Sequence, residues 1–223
     1  MEPLLKVVDL YKIYSNDQVK TPALRGVNFE FFSDRFYAVI GKSGSGKSTL
    51  LHLLGGMDVP TKGQVFYRSK EIGKMKDAQL SKLKRQKFGF VFQAYNLLPE
   101  LCVLENIMLP ADLDKRKVKK EYVEEILNTL GIQDKIRKYP SQLSGGEQQR
   151  TAIARALINQ PEVIFADEPT GNLDWESGKD VIDLFVKLQK QFHQTIILVT
   201  HDMDIARCAD TVIHIQDGMI VQD

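Results

Sequence analysis

Cysteine is scarce: Cys102 and Cys208 are the only two, far apart and without metal-ligand spacing. That pattern excludes a disulfide-stapled secreted scaffold and fits a reducing compartment with idle thiols. Long apolar runs are also missing. The strongest, Phe36–Ile40 and Thr195–Val199, are far shorter than the roughly 20 residues of a spanning helix, and no basic-then-apolar leader stands at the N-terminus. Any work at a membrane therefore requires another polypeptide to supply the spanning segments. Net charge is nearly absent, with 30 Lys and Arg against 29 Asp and Glu, which argues against a general polyanion binder and against nucleic acid as a partner. Internal repeats and low-complexity tracts are absent too.

What is present is a chain of 223 residues, 43% hydrophobic, able to bury one large core with a smaller lobe attached. Short β-branched or aromatic runs at Leu4–Val8, Val27–Phe32, Phe36–Ile40, Phe88–Phe92, Val163–Ala166, Thr195–Val199 and Val212–Ile215 predict strands. Several are apolar without alternation, as strands of a parallel sheet covered on both faces are. Leu4–Phe32 and Gln64–Tyr67, with turns near Ser15–Asp17 and Pro60–Gly63, predict an antiparallel layer beside that α/β core. Tyr122, Ile126 and Leu130 mark one face of a helix over Glu121–Leu130, and Val181, Phe185 and Leu188 mark a crossover helix before Thr195. The charged run Asp114–Glu121 reads most simply as a solvated linker or helix start, with a partner contact as the second reading.

The densest local signal is GKSGSGKS, Gly41–Ser48, set between the apolar run FYAVI and the helix-compatible STLLHLLGG. Gly41, Gly44 and Gly46 let the backbone bend so that N–H groups, with Lys42, Ser43 and Ser45 between them, ring a phosphate, and the helix start adds a field favouring an anion. Lys47 supplies a mobile cation for the β and γ phosphates of ATP. The Ser48 hydroxyl can ligate magnesium, and Thr49 can add a phosphate hydrogen bond. The metal needs a carboxylate partner, and VIFADE ends with Asp167 for that role and Glu168 to polarise the attacking water. Alone, such a pair is more often a helix cap or a solvated turn; the phosphate loop changes those odds.

LSGGEQQR, Leu143–Arg150, is a second glycine turn opening a helix. It resembles the signature of ATP-binding subunits of ABC transporters, and the resemblance runs over the whole chain. It implies an α/β fold with a P-loop NTPase core and parallel sheet, an antiparallel β subdomain and a helical signature subdomain. Residues 1–92 and 160–223 would form the core with its β subdomain, and 93–159 the helical part. It further implies that Ser144, Gly145, Gly146 and Glu147 of one copy cover ATP held by a second copy, so that the active unit is a dimer. By the same resemblance Tyr14 stacks on adenine, Gln93 joins the nucleotide and its metal to the permease and assists catalysis, Asp174 in GNLD is the intersubunit aspartate, and His201 is the switch histidine beside Glu168 and Lys47. Taken singly, Tyr14 is half-buried packing, Gln93 a strand-end polar group and His201 a helix cap. His52, His193 and His214 match no such position.

LLHLLGGMDVPTKGQV, GFVFQAYNLLPELCVLENIMLP and FADEPTGNLD are similar to the branch that includes macrolide efflux, lipoprotein release, cell division and bacitracin-type peptide export. The branch implies a membrane permease partner of the FtsX or MacB kind, a place on the cytoplasmic face of the bacterial plasma membrane, and efflux or mechanical transmission as the work. A regulator of a cell-envelope process without transport carries the same residues. Three departures stand out: Ser33-Asp34-Arg35 replaces a Gly-Glu turn, Trp175 follows the GNLD aspartate in place of a small polar residue, and Cys102 replaces a threonine.

Overall fold

The computed structural model describes residues 2–16 and 19–221; Asp17, at the tip of the turn expected over Ser15–Asp17, lies outside the described residues. The chain opens with two long strands, β1 (Leu5–Asn16) and β2 (Val19–Phe31), followed by β3 (Phe36–Ile40) and helix α1 (Lys47–Leu54). Strands β4 (Lys62–Tyr67) and β5 (Lys70–Glu71) precede α2 (Asp77–Lys87) and β6 (Phe88–Phe92). A helical stretch follows, with α3 (Val103–Leu113), α4 (Lys120–Leu130) and α5 (Gly145–Leu157). The chain then closes with β7 (Val163–Asp167), α6 (Trp175–Phe192), β8 (Thr195–Thr200), α7 (Met203–Ala206), β9 (Thr211–Gln216) and β10 (Met219–Val221).

Two sheets form. The first is antiparallel in the order β2-β1-β4-β5, and the second has the order β10-β9-β3-β8-β7-β6. In the second sheet β9, β3, β8, β7 and β6 run parallel and only β10 is antiparallel, paired to β9. The expected antiparallel layer and parallel core are both present. The antiparallel strands run longer than the apolar runs alone suggested, because Pro22, Lys12 and Lys20 pair across β1 and β2 despite breaking the apolar pattern.

The unalternating strands are explained by burial on both faces. Along β7, Val163 and Phe165 join the core under α1 and the antiparallel sheet, while Ile164 and Ala166 join the core under α3 to α6. Along β8, Ile197 and Val199 face the first core, and Ile196 and Leu198 the second. Every residue of β3 and β8 is buried, so neither strand has a polar side to display. Phe165 anchors the first core by stacking on Phe90 at 5.3 Å and meeting Phe88 edge-on at 5.2 Å.

This arrangement sends the C-terminal ends of β3, β6, β7 and β8 to one edge, where ligands of open parallel sheets bind. The segments beyond those ends are 41–46, Gln93, Glu168 and His201. The departure at Ser33-Asp34-Arg35 also finds its reason. Asp34 holds φ 58, a left-handed conformation that glycine takes without strain, and its N–H donates to Thr195 Oγ1 at 3.0 Å while Oδ2 meets His193 Nδ1 at 3.1 Å.

Candidate functional site

The loop 41–46 is shaped by close packing as well as by turns. Gly41 has φ 153 and a Cβ there would sit 2.1 Å from Ile215 O; Gly46 has φ 107 and a Cβ would sit 2.3 Å from Ala23 O. No other residue fits either place, since backbone on β9 and β2 cannot yield. Gly44 differs from both. It is exposed with no atom near enough for a Cβ to meet, so only its left-handed φ of 76 favours glycine there, and packing does not contribute to the choice. Lys42 and Ser43 beside it are exposed as well, which leaves the outer bend of the loop open for a ligand to approach.

Gly218 N donates to Ser45 O at 3.0 Å and Arg25 N to Gly218 O at 2.8 Å, so the β9–β10 hairpin clamps the loop from outside. Lys47, 5% exposed, donates from Nζ to Gly41 O at 3.0 Å and Lys42 O at 3.1 Å and closes the loop on itself. The Ser45 hydroxyl is buried without a hydrogen-bond partner. A buried orphan oxygen inside a glycine-shaped ring at a helix start suits an oxyanion such as phosphate.

Ser48 Oγ donates to Asp167 Oδ1 at 2.8 Å, linking the first turn of α1 to the end of β7. His52, one helical turn after Ser48, lies 3.5 Å from Asp167 Oδ2. The i, i+4 spacing from Ser48 puts it on that face, a signal legible in sequence although no site role was assigned to it. Glu168, next in the chain, sits at φ 44, which a carboxylate side chain rarely adopts, and its N–H donates to Val199 O at 3.0 Å. Its Oε2 lies 3.1 Å from His201 Nδ1. The structure thus brings Lys47, Ser48, Asp167, Glu168 and His201 to one sheet edge.

Gln93 is held from both ends by Asn172: Nε2 donates to Asn172 Oδ1 at 3.1 Å, and Asn172 Nδ2 donates to Gln93 O at 3.0 Å. Asn172 lies within GNLD, yet spacing suggests no role for it because the reciprocal bond spans 79 positions. Tyr14, 43% exposed, donates to Asp58 Oδ2 at 2.9 Å; Lys12 bonds the same carboxylate at 2.6 Å and sits 4.9 Å from the Tyr14 ring centre. Burial pushes the Tyr14 phenol up. Asp58 is another residue that sequence spacing does not reveal.

The segment 144–147 packs with Gly145 against Tyr95 and Leu173 and with Gly146 against Ser177. Ser144 caps α5, accepting from Glu147 N at 3.2 Å, while Glu147 Oε2 accepts from Ser144 N at 2.8 Å and Oε1 lies 3.3 Å from Lys135. The Ser144 N–H holds the Glu147 carboxyl below the usual carboxylate range. Glu147 therefore works as a cap, which leaves the α5 start and Gly145–Gly146 for an anion. Among the described residues, no hydrogen bond or ion pair joins 144–147 to 41–49. Asp174 caps α6 through Ser177 N at 3.0 Å, and the bond from that N–H lowers its carboxyl. Asp174, Trp175, Ile182, His201 and Ile205 line one cleft of about 560 Å³, with Trp175 79% exposed at its rim.

The family profile described as "ABC transporter" matches residues 24–171. The chain belongs to the ABC transporter family. An uncharacterized ABC transporter ATP-binding protein of Thermotoga maritima is 46% identical over 99% of this chain and 94% of its own. The lipoprotein-releasing system ATP-binding protein LolD of Cytophaga hutchinsonii is 43% identical over 99% of this chain and all of its own. The macrolide export ATP-binding/permease protein MacB of Marinobacter nauticus is 42% identical over 99% of this chain, which spans 34% of that longer protein. Among solved structures, the dimeric bacterial ABC transporter cassette MJ0796 superposes with TM-score 0.89 at 38% identity, over 98% of this chain and 97% of that one. A post-hydrolysis dimer of MJ0796 bound to ADP and Pi gives TM-score 0.87 at 37% identity. The chain is the ATP-binding subunit of an ABC transporter, with the ABC ATPase α/β fold. Among its described residues, no helix is long and apolar enough to cross a membrane.

Replacing Tyr14 with alanine is expected to weaken ATP binding by about 5- to 100-fold, the loss of one base–aromatic stack. Tyr14→Phe keeps the ring, gives up the hydroxyl's interactions with Asp58 and Thr49, and should stay near wild type. Titration with a fluorescent ATP analogue separates the two; equal affinities for all three proteins would remove Tyr14 from the adenine site.

Proposed function

We propose that two copies of this ABC ATPase close around two ATP molecules, each loop 41–49 binding a nucleotide that residues 144–146 of the second copy cover. The observation that carries this reading is the pair of glycine-opened helix starts, α1 and α5. The start of α1 carries Ser48 beside Asp167, with Glu168 and His201 next to it, whereas α5 reaches this edge further along, through Gln149 Nε2 donating to Pro169 O at 2.6 Å, and its start at 144–147 has no bond to 41–49 among the described residues. An anion site without a catalytic group of its own finds one in a second copy. The dimeric state of the MJ0796 structures supports the pairing of two copies.

The residues fit ATP and magnesium. Backbone N–H groups of 41–46 and the Ser45 hydroxyl receive phosphate oxygens, Lys47 exchanges its two carbonyl partners for β and γ oxygens, and Tyr14 receives the adenine face. Ser48 Oγ and Asp167 would hold magnesium with Gln93 nearby, all oxygen donors suited to a hard cation. When bound, the ion withdraws charge from the β and γ phosphates. Glu168 accepts a hydrogen bond from the attacking water and takes its proton as the oxygen bonds to the γ-phosphorus. The bond from phosphorus to the bridging oxygen breaks, and ADP leaves with that electron pair. His201, fixed by its 3.1 Å contact, keeps the carboxylate aimed. Asp174 and the exposed Trp175 lie at the seam between copies.

The membrane partner docks along 93–110. Tyr95 and Asn96 both hold positive φ, and Arg155 clasps their carbonyls, at 2.8 Å for Tyr95 O. Asn106, wholly buried, bonds Leu98 N and the carbonyls of Leu98, Leu101 and Cys102. The loop is thereby rigid while Leu98 stays 43% exposed, and Asn96 of the same loop lines a cleft of about 300 Å³ with Phe90, Phe92 and Pro110. A rigid apolar edge next to Gln93 suits a cytoplasmic helix of an FtsX- or MacB-like permease. The likeness to LolD and MacB supports efflux or mechanical transmission, with peptides, antibiotics or lipoproteins as the proposed cargo; an FtsE-like regulator of the cell envelope is the second reading.

Glu168→Gln is expected to bind ATP with unchanged affinity while turnover falls by at least about 10²-fold; full phosphate release from that variant would remove Glu168 from its role. Replacing Leu97 and Leu98 together with serine should leave basal ATP hydrolysis intact and abolish co-purification of the membrane subunit, and retention of that subunit would place its dock elsewhere.

A further inference from the structure

The formal charge of +1 is a sum over unequal faces. Residues 68–87 carry eight Lys or Arg against Glu71 and Asp77, and residues 112–120 carry five against Asp112 and Asp114. The fold joins the two stretches. Gln86 Nε2 donates to Asp114 Oδ2 at 2.8 Å and Arg85 Nε lies 3.5 Å from Asp114 Oδ1, so the end of α2 abuts the segment that follows α3. Most acids at this face are already taken: Glu71 by Lys74 at 2.6 Å, Asp114 by Arg85, and the neighbouring Glu162 by Lys87 at 2.8 Å and Arg68 at 2.7 Å. Lys70, Lys76, Lys82, Lys115, Lys117 and Lys119 are exposed and enter no ion pair among the described residues. No residue of helix α2 is fully buried, although Leu80 and Leu83 are half-buried against the core, and a cleft of about 550 Å³ beside it carries Lys70, Lys74, Lys82 and Lys87 around Tyr67, Met75 and Leu83.

We infer that this face lies against an anionic lipid surface. Six unpaired lysines spread over two segments have long flexible stems and no fixed counter-charge, which suits a fluid array of negative headgroups. Nucleic acid fits less well, because the aromatic at this face, Tyr67 in the cleft wall, is only 7% exposed and offers no open ring on which a base could stack. An acidic helix of another protein would need apolar anchors, and the exposed large apolar side chain here is Leu113, 65% exposed at the rim, placed to dip among acyl chains. The face adjoins the cleft lined by Lys84, Arg85 and Pro110, where the permease is proposed to dock, so lipid and permease would be met from the same side. The inference rests on that proposal only for a membrane being near.

The test is flotation of the full chain, without permease or nucleotide, on vesicles of phosphatidylcholine alone and of phosphatidylcholine with phosphatidylglycerol. The chain should float with the second and not the first, and release at 1 M salt, where screening contracts to about 3 Å. With each lysine contributing roughly fivefold, Lys70→Glu, Lys76→Glu and Lys82→Glu together should reduce binding by at least about hundredfold, with basal ATP hydrolysis unchanged as evidence of intact folding. No flotation, equal flotation on both vesicles, binding that survives the triple change, or equally tight binding to a single-stranded polynucleotide would each overturn the inference. Normal flotation together with full turnover in Glu168→Gln would instead sink the proposed hydrolytic role and leave this face as described.

Discussion

The 2.8 Å hydrogen bond from Ser48 Oγ to Asp167 Oδ1 links two elements that sequence places 119 positions apart, and much of the site's geometry depends on it. At one end stands the first turn of α1, whose entry is fixed by glycines packed against backbone of β2 and β9. At the other stands β7, paired on both sides and buried on both faces. A bond to an ionised carboxylate contributes about 1.5–3 kcal/mol. Its larger effect is positional: with Asp167 held, Glu168 leaves the strand in a left-handed turn that carries its side chain to His201.

Rigidity at this edge contrasts with the placement of the second anion site. The start of α5 is braced by Ser144, Glu147 and Lys135, all from the helical stretch, and not by the loop 41–46. Among the described residues no bond joins the α5 start to the loop 41–46; α5 meets the catalytic edge further along, where Gln149 Nε2 donates to Pro169 O at 2.6 Å. A second copy can therefore bring its α5 start over the loop without breaking a bond within either chain. Hydrolysis in this account is gated by approach of two preformed surfaces.

Much of this was legible in sequence, and the limits are physical. The phosphate loop is contiguous, so spacing alone shows it, although spacing does not separate Gly41 and Gly46, fixed by neighbouring backbone, from Gly44, fixed by its turn alone. The parallel core shows in strands such as Ile196–Val199 that lack a polar face. Helices α2 and α3 were not legible: α2 sets only Leu80 and Leu83, both half-buried, in a run of polar and charged residues, and α3 carries Pro110 within it. Asp58 and Asn172 were missed because their contacts span 44 and 79 positions, and His52 because its place beside Asp167 follows from a neighbour's function. Net charge concealed the lysine face for a related reason: a sum over the chain carries no information on where the charges lie.

The central claim, a site shared between two copies, is tested most directly by sedimentation of Glu168→Gln with ATP, alone and with Ser144→Arg added. The account requires Glu168→Gln to sediment as a two-chain species holding two nucleotides, and the double variant to bind ATP yet remain a single chain. A double variant that pairs as readily, or a wild-type chain that hydrolyses ATP at full rate where only single chains sediment, would contradict it.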